Sequence, residues 1–580
     1  MRAFQHHLAV AAATAAAFLI LASPALARVN VVEIMTDDET AASLAYMGNV
    51  NTLLGGDGTT FDQAIDSFPL CCPSRTTNLT GQYAHNHGVI HNAPPFGGFT
   101  RLNGSNTLPV WLQAAGYRTM HVGRYLNGYE AKYGIPQGWS DWVGLPHSTA
   151  FNYFAWKAFD HGVVKDYPDA AHPGEYLTDF ETRKGVELID DASKGDKPFY
   201  LALWYTAPHR GTPRDPDDPA KPGTPSPAPR HRDAFAGIRM PRPPSFNERN
   251  MYDKPQVVAD RPRLSPELEA GVEENWRQEN ESLMAVDEGV AQLVEALRRN
   301  GQLDNTMIVF LSDNGFMHGE HRALSEKVLP YEESIRVPLV LRGPGVPRGR
   351  IDHRLVGNVD VTSTILDATD VAPGLVQDGR SLLELLADPG AEWGRDILIE
   401  NGRGANGVPA YRGIRNYRFL YVEHRTTGEI ELYDLQKDPY ELQSVDGRAP
   451  YGRIQHDLHL RLKGLVHCAG VDCLARPHLT LIVRSGGRPV HGCFSKNLRI
   501  QVRGSKRAHL LDADVRIGRR RVERLLNIPT ARGERGGPVT LSGLVKRSQI
   551  RTHGRLRLRV LAETEDGRKL TLDRMLRRCA

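Results

Sequence analysis

The chain has 580 residues, 40% hydrophobic and 24% charged, with a mean hydropathy of −0.41. That composition excludes a mainly disordered chain and a multi-span membrane protein, and the length provides for one large catalytic domain with smaller ones attached. The net charge of +4 conceals a strong polarity: from residue 466 onward 26 Lys and Arg face 9 Asp and Glu, about +17, which leaves 46 of the 72 basic and 59 of the 68 acidic residues, about −13, in the rest.

The first element is an apolar run from Leu8 to Leu21, preceded by Arg2, His6 and His7 and followed by Pro24 and the small-residue triplet Ala25, Leu26, Ala27. It reads as a secretory signal peptide over residues 1–27, cleaved after Ala27. The run is short of the roughly 20 residues a membrane span needs, so the mature chain is expected in a secreted, periplasmic or extracellular location without an integral span. An uncleaved N-terminal anchor is the alternative.

Three further apolar runs read as buried parallel strands. Val29 to Met35 leads into Asp37 and Asp38, Phe199 to Tyr205 leads to Pro208 and His209, and Met307 to Leu311 leads into Asp313 and Asn314. Ligands of open α/β sheets sit beyond the carboxyl ends of such strands, so Asp37, Asp38, Asp313 and Asn314 can converge although they are far apart in the chain. Between the strands, Leu283, Val286, Val290, Leu293, Val294 and Leu297 form a stripe at helical spacing closed by Gly301. Alternating strand and helix favour a layered α/β core. Residues 207–245, rich in Pro, Asp and Arg, read as a long irregular insertion, either a loop near His209 or a passive surface loop. Short strand-like runs return from about 395 to 445. Beyond 466, alternating patterns at Leu498, Ile500, Val502 and at Leu556, Leu558, Val560, with Asp566 and Gly567 placed to turn a hairpin, predict a separate β-rich module.

The six cysteines fall into two groups. Cys468, Cys473, Cys493 and Cys579 suit disulfides in an exported chain; a local Cys468–Cys473 loop with a long Cys493–Cys579 closure is one of three connectivities. Cys71 and Cys72 are adjacent, a spacing that strains a mutual bridge.

Cys71, Cys72, Pro73, Ser74, Arg75, followed by Leu79, Thr80 and Gly81, resembles the signature of the type I sulfatases. In that family the first cysteine of the string is oxidised by a maturation enzyme to formylglycine (3-oxoalanine), and the register selects Cys71. The resemblance implies that one oxygen of the hydrated aldehyde attacks sulfur and that the second hydroxyl later expels sulfate by reforming the carbonyl. Pro73 suits a first helical turn, and a helix N-terminus there favours the anion beside it.

Asp37, Asp38, Asp313 and Asn314 match the family's metal ligands, with the oxidised Cys71 beside them. An oxygen set with three carboxylates suits Ca²⁺ better than Zn²⁺. His209 resembles the family's histidine at the sulfate and leaving group, and Lys327, ahead of Tyr331 to Pro338, its sulfate-binding lysine. Arg75 and Arg124 are expected to stabilise sulfuryl charge with them. Arg124 departs from the lysine of relatives: the charge is kept, but proton transfer from a guanidinium is in doubt. His85, His87 and His121 lie near these motifs without an assigned role.

The resemblance spans about residues 29–445. Tyr83, His85, Asn86 and His87 bring it nearest to the N-acetylglucosamine-6-sulfatase and extracellular endosulfatase group. It implies an alkaline-phosphatase-like α/β/α sandwich over 28–375 and a smaller antiparallel subdomain over 376–465, with residues 466–580 appended. The implied partners are a sulfated small molecule or glycan, 6-sulfated N-acetylglucosamine leading, and the maturation enzyme; nucleic acid is not among them. Rival readings are a generic arylsulfatase, a phosphonate or phosphate monoester hydrolase on the same fold, and a non-catalytic binder of sulfated glycans.

Overall fold

The structure is a computed structural model that describes residues 28–474, apart from 217, 389–392 and 406, together with the backbone of nine strands between 479 and 578. Its centre is a ten-stranded mixed sheet. In chain order these strands are β1 (Asn30–Thr36), β2 (Gly58–Phe61), β4 (Arg118–Arg124), β5 (Asp141–Leu145), β6 (Trp156–Asp160), β7 (Val163–Tyr167), β8 (Phe199–Trp204), β9 (Thr306–Ser312), β10 (Leu339–Arg342) and β11 (Arg350–Asp352), while β3 (Ala64–Ile65) and β12 (Val356–Gly357) form a separate short pair. The order across the sheet is β11-β2-β10-β9-β1-β8-β4-β5-β6-β7. The five central strands from β9 to β5 run parallel, and β10, β6 and β7 are antiparallel to their neighbours.

The three apolar runs that end in acidic, amide or histidine groups are thus neighbours, β9-β1-β8, and β1 is buried along its whole length. Alternation along β1 divides the core. Val32 and Ile34 pack with the helices Leu177–Ala192 and Pro266–Arg299 on one face. Val31 and Met35 pack on the other with the helices Cys71–Thr80, Leu108–Ala114 and Val359–Thr369. Helices on both faces of the sheet make the expected three-layer sandwich.

The stripe from Leu283 to Leu297 is buried on the helix Pro266–Arg299. That helix opens with Ser265 accepting the Leu268 amide and ends before Gly301, which takes the left-handed φ of 67° just past the C-cap. Between β8 and the short helix Gln256–Ala259 the described residues form no regular helix or strand, as the insertion at 207–245 requires. A second, four-stranded antiparallel sheet follows, β13 (Ile397–Asn401), β14 (Tyr411–Arg415), β15 (Phe419–His424) and β16 (Ile430–Asp434), covered by the helix Gly452–Leu465 through Leu458, Leu462 and Leu465.

Cys468 and Cys473 form a disulfide. The nine later strands build one four-stranded and one five-stranded sheet. Arg555–Thr564 and Lys569–Arg578 pair antiparallel with Glu563 opposite Lys569, the register a hairpin at Asp566 and Gly567 demands. Those two turn residues, residues 1–27 and a Cys493–Cys579 bridge lie outside the described residues. No helix among the described residues is long and apolar enough to cross a membrane.

Candidate active site

Parallel register sets the site. Thr36 lies opposite Ser312 and Met35 opposite Trp204, so Asp37, Asp313 and the chain after β8 leave the sheet at one edge. Two amides stitch them: Asp37 N–H donates to Ala207 O and Asp313 N–H to Thr36 O, both at 3.1 Å. β4 ends at the same edge because Gly123 lies opposite Trp204. Gly123 has φ 101°, and a Cβ there would meet Trp204 O at 2.1 Å, so only glycine brings Arg124 this close.

Cys71 is the first residue of the helix Cys71–Thr80. Leu70 before it is extended and provides no side-chain cap, and the Cys72 amide is capped from a distance by Asn92 Oδ1 at 2.9 Å. All ten residues of this helix are buried. Residue 71 therefore faces the carboxylates from the positive end of a helix dipole.

Around it the charges interlock. Lys327 Nζ lies 2.9 Å from Cys71 Sγ and pairs with Asp38 Oδ1, while Asp37 Oδ1 is 3.8 Å from the same sulfur. Arg75 is wholly buried: Nε donates to Asp313 Oδ2 at 2.7 Å, Nη2 to Asp37 Oδ2 at 2.9 Å and Nη1 to the Arg124 and Tyr125 carbonyls at 2.6 and 3.2 Å. Arg124 Nη1 pairs with Asp37 Oδ2 and lies 3.9 Å from Asp313 Oδ2. His209 Nε2 is 3.7 Å from Asp38 Oδ2, its Nδ1 is 2.7 Å from Arg210 O, and its ring is 16% exposed, open on one side. The structure thus brings together every residue expected at the site: Asp37, Asp38, Cys71, Arg75, Arg124, His209, Asp313, Asn314 and Lys327.

Electrostatics follow from burial. Burial pushes the Cys71 thiol up to about 12 against the opposing pull of Lys327, so an unmodified thiol stays protonated at neutral pH and is a poor nucleophile. Burial lowers Lys327, but Asp38, Cys71 and Asp313 outweigh it and hold the ammonium above its usual range. Burial lowers Arg124 to about 10, with Asp313 opposing. His209 falls well below the usual imidazole value through burial, Lys327 and Arg124.

The oxygen set fits a hard metal ion. Ligand oxygens of Asp37, Asp38 and Asp313 all lie within 4.8 Å of one another, and these carboxylates are buried. Asn314 supplies the independent sign: its Nδ2 donates to Asp38 Oδ1 at 2.7 Å and to Gly315 O at 2.9 Å, whereas its buried Oδ1 has no partner among the described residues. An orphaned amide oxygen beside three carboxylates is what a cation with oxygen ligands would satisfy.

The remaining histidines have other settings. His121 stacks on Trp142 at 4.5 Å, and burial lowers it to about 3. His85 contacts Glu400 and the Cys468 carbonyl, and His87 contacts Thr77. Sequence reasoning missed three supports. Phe151 lies 4.8 Å beneath the Arg124 guanidinium and 4.5 Å from the His209 ring, Tyr153 donates its hydroxyl to His209 O at 2.6 Å, and Asn127 accepts from Arg124 at 3.2 Å. Phe151 and Tyr153 carry no local signal; Asn127 lies three residues beyond Arg124 in the sequence.

A three-layer sheet with a metal-ready carboxylate cluster at its carboxyl edge and a nucleophile position on a helix N-terminus defines an alkaline-phosphatase-like hydrolase. The sulfatase family model matches residues 29–371, and that for the C-terminal region of N-sulphoglucosamine sulphohydrolase matches 319–467. The chain belongs to the sulfatase family, a family of sulfuric ester hydrolases. It is 30% identical over 491 residues to goat N-acetylglucosamine-6-sulfatase, covering 77% of this chain and 85% of that one. It is 32% identical over 419 residues to a Caenorhabditis elegans protein described as an extracellular sulfatase Sulf-1 homologue, covering 70% of this chain but spanning only 56% of that relative's length. A solved structure of a protein in complex with its substrate D-glucosamine-2-N,6-O-disulfate superposes with a TM-score of 0.64 at 25% identity, over 75% of this chain and 97% of that one. A phosphonate monoester hydrolase from Silicibacter pomeroyi shares the fold at a TM-score of 0.54 and 22% identity, over 78% of this chain and 98% of that one.

Proposed function

We propose that the chain is a secreted, calcium-dependent sulfatase that removes the 6-O-sulfate of N-acetylglucosamine or a closely related amino sugar, with residue 71 in its formylglycine form. The observation that carries the reading is Lys327 Nζ at 2.9 Å from Cys71 Sγ on a helix N-terminus, beside buried Asp37, Asp38 and Asp313. The names of the relatives and the sulfated glucosamine bound to the structural neighbour support the sugar.

The sulfur of Cys71 marks where the nucleophilic oxygen would stand. A formylglycine at residue 71, made by a maturation enzyme, would supply as its hydrate one oxygen for attack on sulfur and a second hydroxyl whose deprotonation would release sulfate. Asp37, Asp38, Asp313 and Asn314 would hold the calcium, which would supply positive charge for the sulfuryl oxygens. Lys327 and Arg124 add charge from two sides, in a buried setting where it acts strongly on the transition state.

Arg75 has a different task from the one its position in the signature suggests. Each of its nitrogens is committed to Asp37, Asp313 or a carbonyl, so it holds the two carboxylates in place and acts through them. His209, with Nδ1 fixed on a carbonyl, presents Nε2 to the open side. Burial and the two cations oppose its protonation, and an anionic ester bound between Lys327 and Arg124 offsets that opposition, so that Nε2 can deliver a proton to the leaving alcohol.

We divide the chain into a catalytic part over 28–375, a C-terminal subdomain over 376–465 and a basic module over 466–580. The test is release of sulfate by purified protein from 6-sulfated N-acetylglucosamine, an aryl sulfate and an aryl phosphonate in parallel. Preference for the sulfated sugar is expected. Turnover of the aryl sulfate alone reassigns the substrate, and preference for the phosphonate defeats the reading.

A further inference from the structure

A second cluster of ligating groups lies where the segment that carries Lys327 meets the C-terminal part of the chain. His321, Glu333 and Glu441 present ligand atoms that all lie within 4.8 Å of one another, and none of the three belongs to the Cys71 site. In each side chain one polar atom is anchored. His321 Nδ1–H donates to Glu248 Oε2 at 2.7 Å, Glu333 Oε1 accepts from Ser245 Oγ at 3.3 Å, and Glu441 Oε2 accepts from the Glu332 amide at 3.1 Å. The other atom is left over: His321 Nε2, Glu333 Oε2 and Glu441 Oε1 have no hydrogen-bond partner among the described residues. His321 and Glu441 are 0% exposed. A buried polar atom left without a partner is costly, and three of them in one cluster call for a shared partner that accepts both nitrogen and oxygen ligands.

We infer that His321, Glu333 and Glu441 hold a divalent cation of the zinc class, at a site distinct from the calcium site. One imidazole with two carboxylates suits Zn²⁺ better than Ca²⁺, which takes oxygen ligands. Glu248 behind His321 is the carboxylate that a metal-bound imidazole takes on its other ring nitrogen, fixing the ring and leaving Nε2 for the ion. Side-chain rotation need only contract the cluster to the roughly 3.4 Å edge of a tetrahedron with bonds of about 2.1 Å. A cavity of about 480 Å³, lined among others by Phe316, His318, Glu320 and Tyr440, has Glu333 of the cluster in its wall. His321 and Glu333 stand six residues on either side of Lys327. An ion between them therefore ties both flanks of the sulfate-binding lysine to Glu441 beyond β16.

The site is independent of the reaction proposed above, and its test does not use activity. Full-length protein is stripped of metal, saturated with Ca²⁺, titrated with ZnCl₂, desalted and counted for bound zinc by mass spectrometry, with melting temperatures recorded alongside. One zinc per chain is expected in the wild type and in Asp313→Asn, and none in His321→Gln or Glu441→Gln; Zn²⁺ raises the melting temperature of the first pair only. A wild type that retains no zinc overturns the site. So does zinc that is lost in Asp313→Asn and kept in His321→Gln, because it then belongs to the Cys71 site. If the two ligand variants fail to fold, Co²⁺-loaded wild type decides: visible absorption of a low-symmetry nitrogen and oxygen site, bleached by Zn²⁺, supports the assignment, and its absence refutes it.

Discussion

Residue 71 and its neighbour illustrate how two identical side chains adjacent in sequence acquire different surroundings. Cys71 faces Lys327 and Asp37, while Cys72 packs into the apolar layer with Leu79 and Trp111. Cys71→Ala is predicted to reduce sulfate release to background, and Cys72→Ala to leave most of it; equal losses in an end-point assay of the two purified variants would contradict the assignment. Lys327→Ala removes a buried cation aimed at developing charge, and kcat should fall by about 10²- to 10³-fold. Steady-state kinetics with an unchanged kcat would remove Lys327 from the chemistry. Asn314→Ala deletes the orphaned oxygen, so the free Ca²⁺ concentration for half-maximal turnover should rise, measured by adding Ca²⁺ back after chelation. An unshifted midpoint would mean that Asn314 is not a ligand. The carboxylates, Asn314 and His209 were legible because they follow strand ends, and Cys71 and Arg75 because they stand in one short string, whereas Lys327 and Arg124 were legible only through the resemblance to the family. The aromatic floor was not: Phe151 meets Arg124 and His209 only through the fold.

Among the elements, β1 shows both what hydrophobic pattern reveals and what it hides. The apolar run announced a buried strand, yet Glu33 sits in its middle, fully buried, accepting from Tyr200 at 2.7 Å, from Trp204 at 3.1 Å and from Asn78. Burial raises its carboxyl from 4.5 to about 7, against the lowering by those donors. The folded state therefore holds a proton that the unfolded chain has lost, and the associated stability is fully present below about pH 4.5 and lost as pH rises through about 7. Relative to Glu33→Gln, the wild type should lose about 3 kcal/mol across that window. Denaturant unfolding of both proteins at several pH values checks this, and a pH-independent difference would contradict it. The helix Cys71–Thr80 was illegible as a helix face because Ser74, Arg75, Thr76, Thr77 and Asn78 are buried along with the apolar residues, leaving no apolar stripe to reveal a period. The helix Pro266–Arg299 was legible toward its C-terminal end, where the stripe faces the sheet while Gln292, Glu295, Arg298 and Arg299 are exposed.

The molecule as a whole joins an acidic catalytic part to a basic tail of about +17 from residue 466 onward. If the tail holds acidic polymer near the site, truncation near Leu465 should slow processing of a polymeric sulfated substrate at low salt. The difference should shrink as ionic strength passes about 0.1 M, where screening lengths fall to roughly 10 Å. Equal rates for truncated and full-length protein at low salt would make the tail structural. The catalytic claim is tested most directly by the mass of the tryptic peptide carrying residue 71, taken from a preparation that releases sulfate. The aldehyde or its hydrate is predicted at Cys71, with Cys72 unchanged. A fully active preparation in which Cys71 is wholly an unmodified thiol would contradict the account.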